Sequence, residues 1–206
     1  MFLIAGLGNP GPDYADHRHN IGFVVADRLS ERWRLGVLKA KFAALVGQGE
    51  YAGEKVVVVK PQQYMNVSGP PVQDASTFFK IPPSHVIVVH DEIDLEFGRI
   101  KVKVGGGHGG HNGLRSLSGT IGPAFIRVRC GVGHPGSKER VVGHVLGSFS
   151  KAEQKEVPLL VELAADAVEM IIRDGVSKAM NKYNTVEDAA QKEAPKQQKE
   201  PREPRS

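Results

Sequence analysis

The chain has 206 residues, 40% of them hydrophobic and 24% charged, with a formal net charge of +4. That length supports one good core plus an appendage and would leave two full domains cramped, and the mild basic bias permits a polyanionic partner without requiring one. A single cysteine excludes an internal disulfide, and with no basic leader after Met1 and no apolar run long enough to span a bilayer, the expectation is a cytoplasmic protein with no membrane partner.

In chain order, Met1 to Leu7 is a short apolar run that enters the rigid loop Gly8-Asn9-Pro10-Gly11-Pro12, which reads as a strand followed by a turn. Gly6, Gly8 and Gly11 satisfy a dinucleotide-type G-x-G-x-x-G spacing, but Pro10 and Pro12 oppose the helix that such a site needs. A helix is expected from near His19, because Ile21, Val25, Leu29 and Trp33 recur every fourth residue. Residues 42–50 and 54–60, joined through Ala52-Gly53, read as a β-hairpin, and the polar loop Gln62-Gln63-Tyr64-Met65-Asn66 follows it. A helix within 69–80 stops at Ile81-Pro82-Pro83. The apolar run Val86 to Val89 then delivers His90, Asp91 and Glu92 to a strand end. After a turn at Phe97-Gly98, Arg99 to Val104 alternates basic and apolar residues, as a strand with one basic face does. Six glycines between Gly105 and Gly113, interleaved with His108, His111 and Asn112, make a loop whose backbone can approach a ligand.

Residues 110–121 read as a short helix opening on that loop, and 125–132 as a further strand with Arg127 and Arg129 on one face. Cys130, inside this strand, reads as core. Ser150 and Glu153 form a capping box ahead of a helix containing Leu160, Ala164, Val168 and Ile171, although Pro158 makes that helix start late or kink. From Glu187 the composition turns to Glu, Lys, Gln, Ala and Pro with no apolar stripe, so 187–206 is expected to be a disordered charged tail behind a catalytic domain of residues 1–186. Strands alternating with helices predict an α/β, single-domain sandwich with a mixed, mostly parallel central sheet and helices on both faces. In such sheets ligands sit where strands end in loops, and the loops at Asn9, Asn66 and Asp91 each follow a predicted strand.

The residues at those loops carry acid–base chemistry. An imidazole accepts a proton from water, and a carboxylate on its other nitrogen fixes the tautomer, a pairing that suits His19 and Asp91. Asn9, Asn66 and Asn112 offer neutral amides to orient a carbonyl or stabilise an oxyanion. No G-x-S-x-G elbow and no phosphate-binding G-x-x-x-x-G-K-[ST] loop is present, so water is the expected nucleophile. A metal-dependent hydrolase built on His90, Asp91, His108 and His111 is the rival enzyme reading, and an RNA-binding module that turns nothing over is the rival outside enzymes.

Six ordered blocks then identify a resemblance: Gly6-Leu-Gly-Asn-Pro-Gly11, Arg18-His19-Asn20-x-Gly22, Tyr64-Met65-Asn66-x-Ser68-Gly69, His90-Asp91-Glu92, the glycine loop from Gly105 to Gly113, and Gly131-x-Gly133-His-Pro-Gly136. The chain from Phe2 to about Tyr183 resembles the bacterial-type peptidyl-tRNA hydrolases. The resemblance implies hydrolysis, without metal or cofactor, of the ester joining a peptide or N-blocked amino acid to the 3′-terminal ribose of tRNA. It implies His19 as catalytic base, Asp91 as its partner, and Asn9, Asn66 and Asn112 as substrate-positioning amides. Tyr14 and Met65 match positions lining the same cleft, and Lys103 and Arg129 match a clamp for the tRNA 5′-phosphate. The expected partner is peptidyl-tRNA, held at its acceptor stem and 3′ end by a monomer. Lys138, Arg140, Arg173, Lys178 and Lys182 are candidates to extend the basic surface. Two positions depart from the family pattern: His17 stands where Thr or Asn is usual, and Gln63 where Thr is usual.

Overall fold

The computed structural model describes residues 1–192, with side chains to 185. Seven strands form one sheet in the order β2-β3-β4-β1-β5-β7-β6. The strands are β1 (Phe2–Gly6), β2 (Lys39–Lys41), β3 (Ala44–Tyr51), β4 (Glu54–Pro61), β5 (Val86–Glu92), β6 (Ile100–Val104) and β7 (Ile126–Gly131). The central four, β4, β1, β5 and β7, run parallel, and β3 and β6 pair antiparallel at the two sides. The sheet is therefore mixed and mostly parallel at its centre, as the alternation of elements predicts. The helices are α1 (Ile21–Arg32), α2 (Gly69–Phe78), α3 (Asn112–Ile121), α4 (Val141–Val145), α5 (Lys151–Gln154), α6 (Val157–Asp174) and α7 (Val176–Lys192).

The parallel strands are apolar on both sides because helices cover both faces. Ile4, Val58, Ile87, Val89 and Val128 pack against α1 and α6, while Leu3, Ala5, Val57, Val59, Val88 and Phe125 pack against α2 and α3. Within α1, Ile21, Val25 and Leu29 are buried as their spacing requires, and Trp33 lies just past the helix end. Two glycines let α1 sit directly on the sheet. A Cβ on Gly22 would overlap the Val89 carbonyl and the Leu7 amide, and one on Gly6 would overlap the Gly22 carbonyl. Gly6 thus serves helix–strand contact and not a dinucleotide.

Several elements depart from expectation. The short edge strand β2 escaped notice because Lys39, Ala40 and Lys41 are all exposed and show no alternation. The Ser150–Glu153 capping box is formed, but it caps α5 alone, and α6 starts separately with Pro158 in its first turn, where a missing amide is tolerated. Arg127 is buried at 3% exposure, whereas its alternation with Val128 suggested a basic outer face. Its guanidinium donates to the carbonyls of Gly106 and Gly107 at 2.5 and 2.6 Å, so it braces the glycine loop. α7 continues to Lys192, past the boundary expected at Glu187, and 193–206 lie outside the described residues.

Candidate active site

Alternation along β5 sends its last two carboxylates to opposite faces of the sheet. Asp91 stands beside Cys130, on the face packed by α1 and α6, and His90 stands beside Arg129 on the other. The close seating of α1 brings the turn Arg18–Asn20 over the ends of β1 and β5. His19 is thereby held 92% buried, with Nδ1 2.8 Å from Asp91 Oδ1. An ionised carboxylate only accepts hydrogen bonds, so Nδ1 carries the ring proton and Nε2 keeps its lone pair. His19 lines a cleft of about 1100 Å³, and that lone pair is the basic atom it offers there.

A second imidazole reaches the same oxygen from the opposite layer. His111 Nε2 donates to Asp91 Oδ1 at 3.0 Å, while its Nδ1 accepts from the backbone amides of Gly113 and Leu114 at 3.1 and 3.4 Å. His111 is thus the N-cap of α3 and an anchor for Asp91 at once. Both of its nitrogens are engaged, so it has no lone pair left to act as base. Burial pushes the Asp91 carboxyl up, but the electrostatic attraction and hydrogen bonds of the His19 and His111 imidazoles outweigh it and hold the group well below the usual carboxylate range. Asp91 therefore stays ionised at neutral pH, as a partner for an imidazolium must.

His90 and Cys130 are bystanders to proton transfer. His90 Nδ1 donates to the Asp91 carbonyl at 2.7 Å, and burial, followed by electrostatic repulsion from the neighbouring His111 imidazole, lowers its pKa from 6.5 to about 3. It is neutral in the working range. Burial, then the Asp91 charge, pushes the Cys130 thiol up, which removes it as a nucleophile at neutral pH.

The amide residues fall into distinct roles. Asn9, 6% exposed, is fixed by its neighbours: its amide N–H donates to Asn20 Oδ1, its carbonyl accepts from Asn20 Nδ2, both at 2.9 Å, and its own Oδ1 accepts from the Met65 amide at 2.7 Å. With Oδ1 engaged, Asn9 presents its Nδ2 donors to the cleft it lines. Met65, Asn66 and Asn112 line the same cleft, and Asn112 Oδ1 accepts from Arg115 at 3.2 Å. Tyr14 is not part of the lining. Its ring packs edge-on against His17 and against Tyr64, which is. His17, the first departure, makes that ring contact while its buried Nδ1 has no hydrogen-bond partner among the described residues. Gln63, the second, is exposed.

Arg18 braces the turn that bears His19 from behind. Its Nη1 donates to the carbonyls of His144, Gly147 and Ser148, and its Nη2 pairs with Glu153 at 2.8 Å, which ties α4 to the turn bearing His19. From α4 and the residue after it, Val142 and Leu146 give the cleft an apolar wall opposite the polar base. Lys103 and Arg129 do not line the cleft. They lie on the sheet face beyond α3, where Lys101 stands opposite Arg129 and Lys103 opposite Arg127. Of the four rival metal ligands, His108 is held in the loop by the Gly110 amide and His90 by the Asp91 carbonyl. The cluster that does form among the described residues is His19, Asp91 and His111, with ligand atoms within 4.8 Å of one another, but Asp91 Oδ1 already accepts from His19 Nδ1 and His111 Nε2. This set suits proton transfer better than a divalent ion.

Sequence reasoning missed Asn20, Arg18 and the anchoring role of His111. The motif contains the first two, and the third sits at the entrance of a predicted helix, but imidazole is an unusual cap and its second bond is purely tertiary.

Comparison with known proteins gives one consistent result. The sequence profile of the peptidyl-tRNA hydrolase family matches residues 3–194. A peptidyl-tRNA hydrolase of Mesorhizobium japonicum is 46% identical, with 100% of this chain and 90% of the relative covered, and one of Rhodospirillum centenum is 53% identical over 81% and 74%. The crystal structure of peptidyl-tRNA hydrolase from Acinetobacter baumannii superposes with a TM-score of 0.84 at 44% identity, covering 89% of this chain and 94% of that one.

Proposed function

The chain belongs to the peptidyl-tRNA hydrolase family, and from that premise we propose how its residues divide the hydrolysis of the ester between a peptide and the 3′-terminal ribose of tRNA. Water is held at His19 Nε2 and attacks the ester carbonyl as Nε2 takes its proton. Asp91 keeps the other ring proton on Nδ1 and stabilises the imidazolium that forms. The Nδ2 donors of Asn9, with Asn66 and Asn112 at the rim, meet the oxygen on which charge develops. Collapse of the tetrahedral species expels the ribose oxygen, which regains a proton from the imidazolium, and the carboxylic acid and free tRNA result. Met65 packs under the reacting carbonyl, and Tyr14 holds Tyr64 at the cleft rim.

In this reading Lys103 and Arg129 take the 5′-phosphate of the acceptor stem, which gives register and salt-dependent affinity without reading bases. A monomer is the working unit in this reading. A substrate drawn from translation fits a cytoplasmic site of action, and no helix of the described residues is long and apolar enough to cross a membrane. Release of tRNA from aborted translation is the role that follows.

The observation that carries this reading is the His19–Asp91 bond, with the opposite ring nitrogen left for water. Asp91→Asn tests it. The introduced amide can donate to Nδ1, which moves the ring proton to Nε2 and removes the base. The expected result is a fall in kcat on N-acetyl-aminoacyl-tRNA of about 10²- to 10⁴-fold with KM little changed. Turnover near the wild-type rate would refute the assignment.

A further inference from the structure

β5 ends in two consecutive carboxylates, and the chemistry above uses only the first. The second, Glu92, points to the opposite face, where its Oε2 accepts from Arg129 Nε at 2.9 Å and its Oε1 accepts from the Asp94 amide at 3.2 Å. The two side chains are 17% and 21% exposed, so the pair is substantially shielded from water. Among the described residues the two Nη groups of Arg129 have no protein acceptor, and Lys103 lies diagonally across β6 on the same face. Glu92 also lines the cleft that holds His19.

A carboxylate beside a cation can act in two opposite ways. It can compete with an incoming anion, or it can hold the cation in the conformation that the anion needs. A competitor is expected to occupy the guanidinium fork with both oxygens, since that is the strongest carboxylate–arginine geometry. Here one oxygen meets Nε alone and the other is tied to the backbone, which leaves the Nη edge presented. Arginine loses rotamer freedom when it binds, and a side chain already fixed at Nε loses less.

We propose that Glu92 is a positioning residue for phosphate recognition: it holds Arg129 by Nε so that the Nη edge, with Lys103, meets the terminal 5′-phosphate of the substrate. It thereby ties the clamp to the same strand end that carries Asp91. This rests on the reading of Lys103 and Arg129 as the phosphate clamp.

The test compares kcat/KM on N-acetyl-aminoacyl-tRNA bearing a 5′-phosphate with that on the same RNA bearing a 5′-hydroxyl. The ratio of the two cancels any effect on the His19–Asp91 pair, because both substrates use it. Wild type is expected to prefer the phosphate, and Arg129→Gln to bring the ratio close to one. Glu92→Ala is expected to lower the ratio by about three- to tenfold, whereas Glu92→Gln retains most of it, because the amide oxygen still accepts from Nε. A ratio that rises in both Glu92 variants would make Glu92 a competitor and overturn the proposal. So would an unchanged ratio in Glu92→Ala when Arg129→Gln has collapsed it. If Arg129→Gln leaves the ratio at the wild-type value, the clamp reading itself fails and the positioning role falls with it.

Discussion

His111 shows how one side chain can serve stability and rate together, and substitution can separate the two. His111→Ala removes the α3 cap and one of the two donors on Asp91, and is expected to cost about 1 kcal/mol of stability and roughly tenfold in kcat. His111→Asn supplies a good cap but does not reach Asp91 in the same way. It should restore the denaturation midpoint and not the rate, and recovery of both would show that the Asp91 bond is dispensable. Cys130→Ala should leave turnover within about twofold, because the buried thiol is not ionised at neutral pH. Loss of activity in a folded Cys130→Ala protein would reopen the thiol as a participant. His19 and Asp91 were legible at this scale because each falls at the end of an element that periodicity locates. His111 was legible only as a loop histidine, since its bonds join a helix start to a strand end 20 residues away. Arg127 misled for a related reason: alternation tells which face a side chain takes, but not that the glycine loop would fold over that face.

At the scale of elements, the edge of the sheet is held by an unusual device. Asn184, on α7, accepts from the Val102 amide at 2.9 Å and donates to the Val102 carbonyl at 2.8 Å, so its side chain pairs with β6 as a further strand would. This closes the edge beside the basic face without another strand. Asn184→Leu should cost about 1–3 kcal/mol and speed hydrogen exchange at the Val102 amide; unchanged exchange there would show that β6 is held by β7 alone. The longer strands and the helices α1 and α6 were readable from apolar periodicity, whereas α7, whose sequence is mostly polar, was not. The division between α5 and α6 was not, because a capping box specifies where a helix begins and says nothing of how soon it ends. β2 and α4 were also missed. β2 has only three residues and α4 five, too short for a period to show.

For the whole molecule, pH and salt report on different layers of the design. His90 has a folded-state pKa near 3, below the unfolded value of 6.5, so the unfolded chain takes up the proton first as pH falls. Its contribution is complete above about pH 6.5 and is lost toward pH 3, at up to about 1.4 kcal/mol per pH unit. Asp91, also depressed, adds its own loss at lower pH, below the unfolded carboxylate value. Denaturant midpoints measured between pH 7 and 4 should therefore decline, and His90→Asn should flatten that decline; an equally steep profile would remove His90 as its cause. On the outer layer, Lys103→Ala should weaken tRNA binding and reduce the slope of log affinity against log salt by about one, where an unchanged slope would mean that Lys103 meets no phosphate. The central claim is that a hydrogen-bonded imidazole activates water. The most direct measurement is release of N-acetyl-aminoacyl groups from tRNA by wild type and His19→Ala, both folded by circular dichroism, with and without EDTA. The expected result is turnover by wild type alone, at the same rate with the chelator. Activity abolished by EDTA, or retained by His19→Ala, would contradict it.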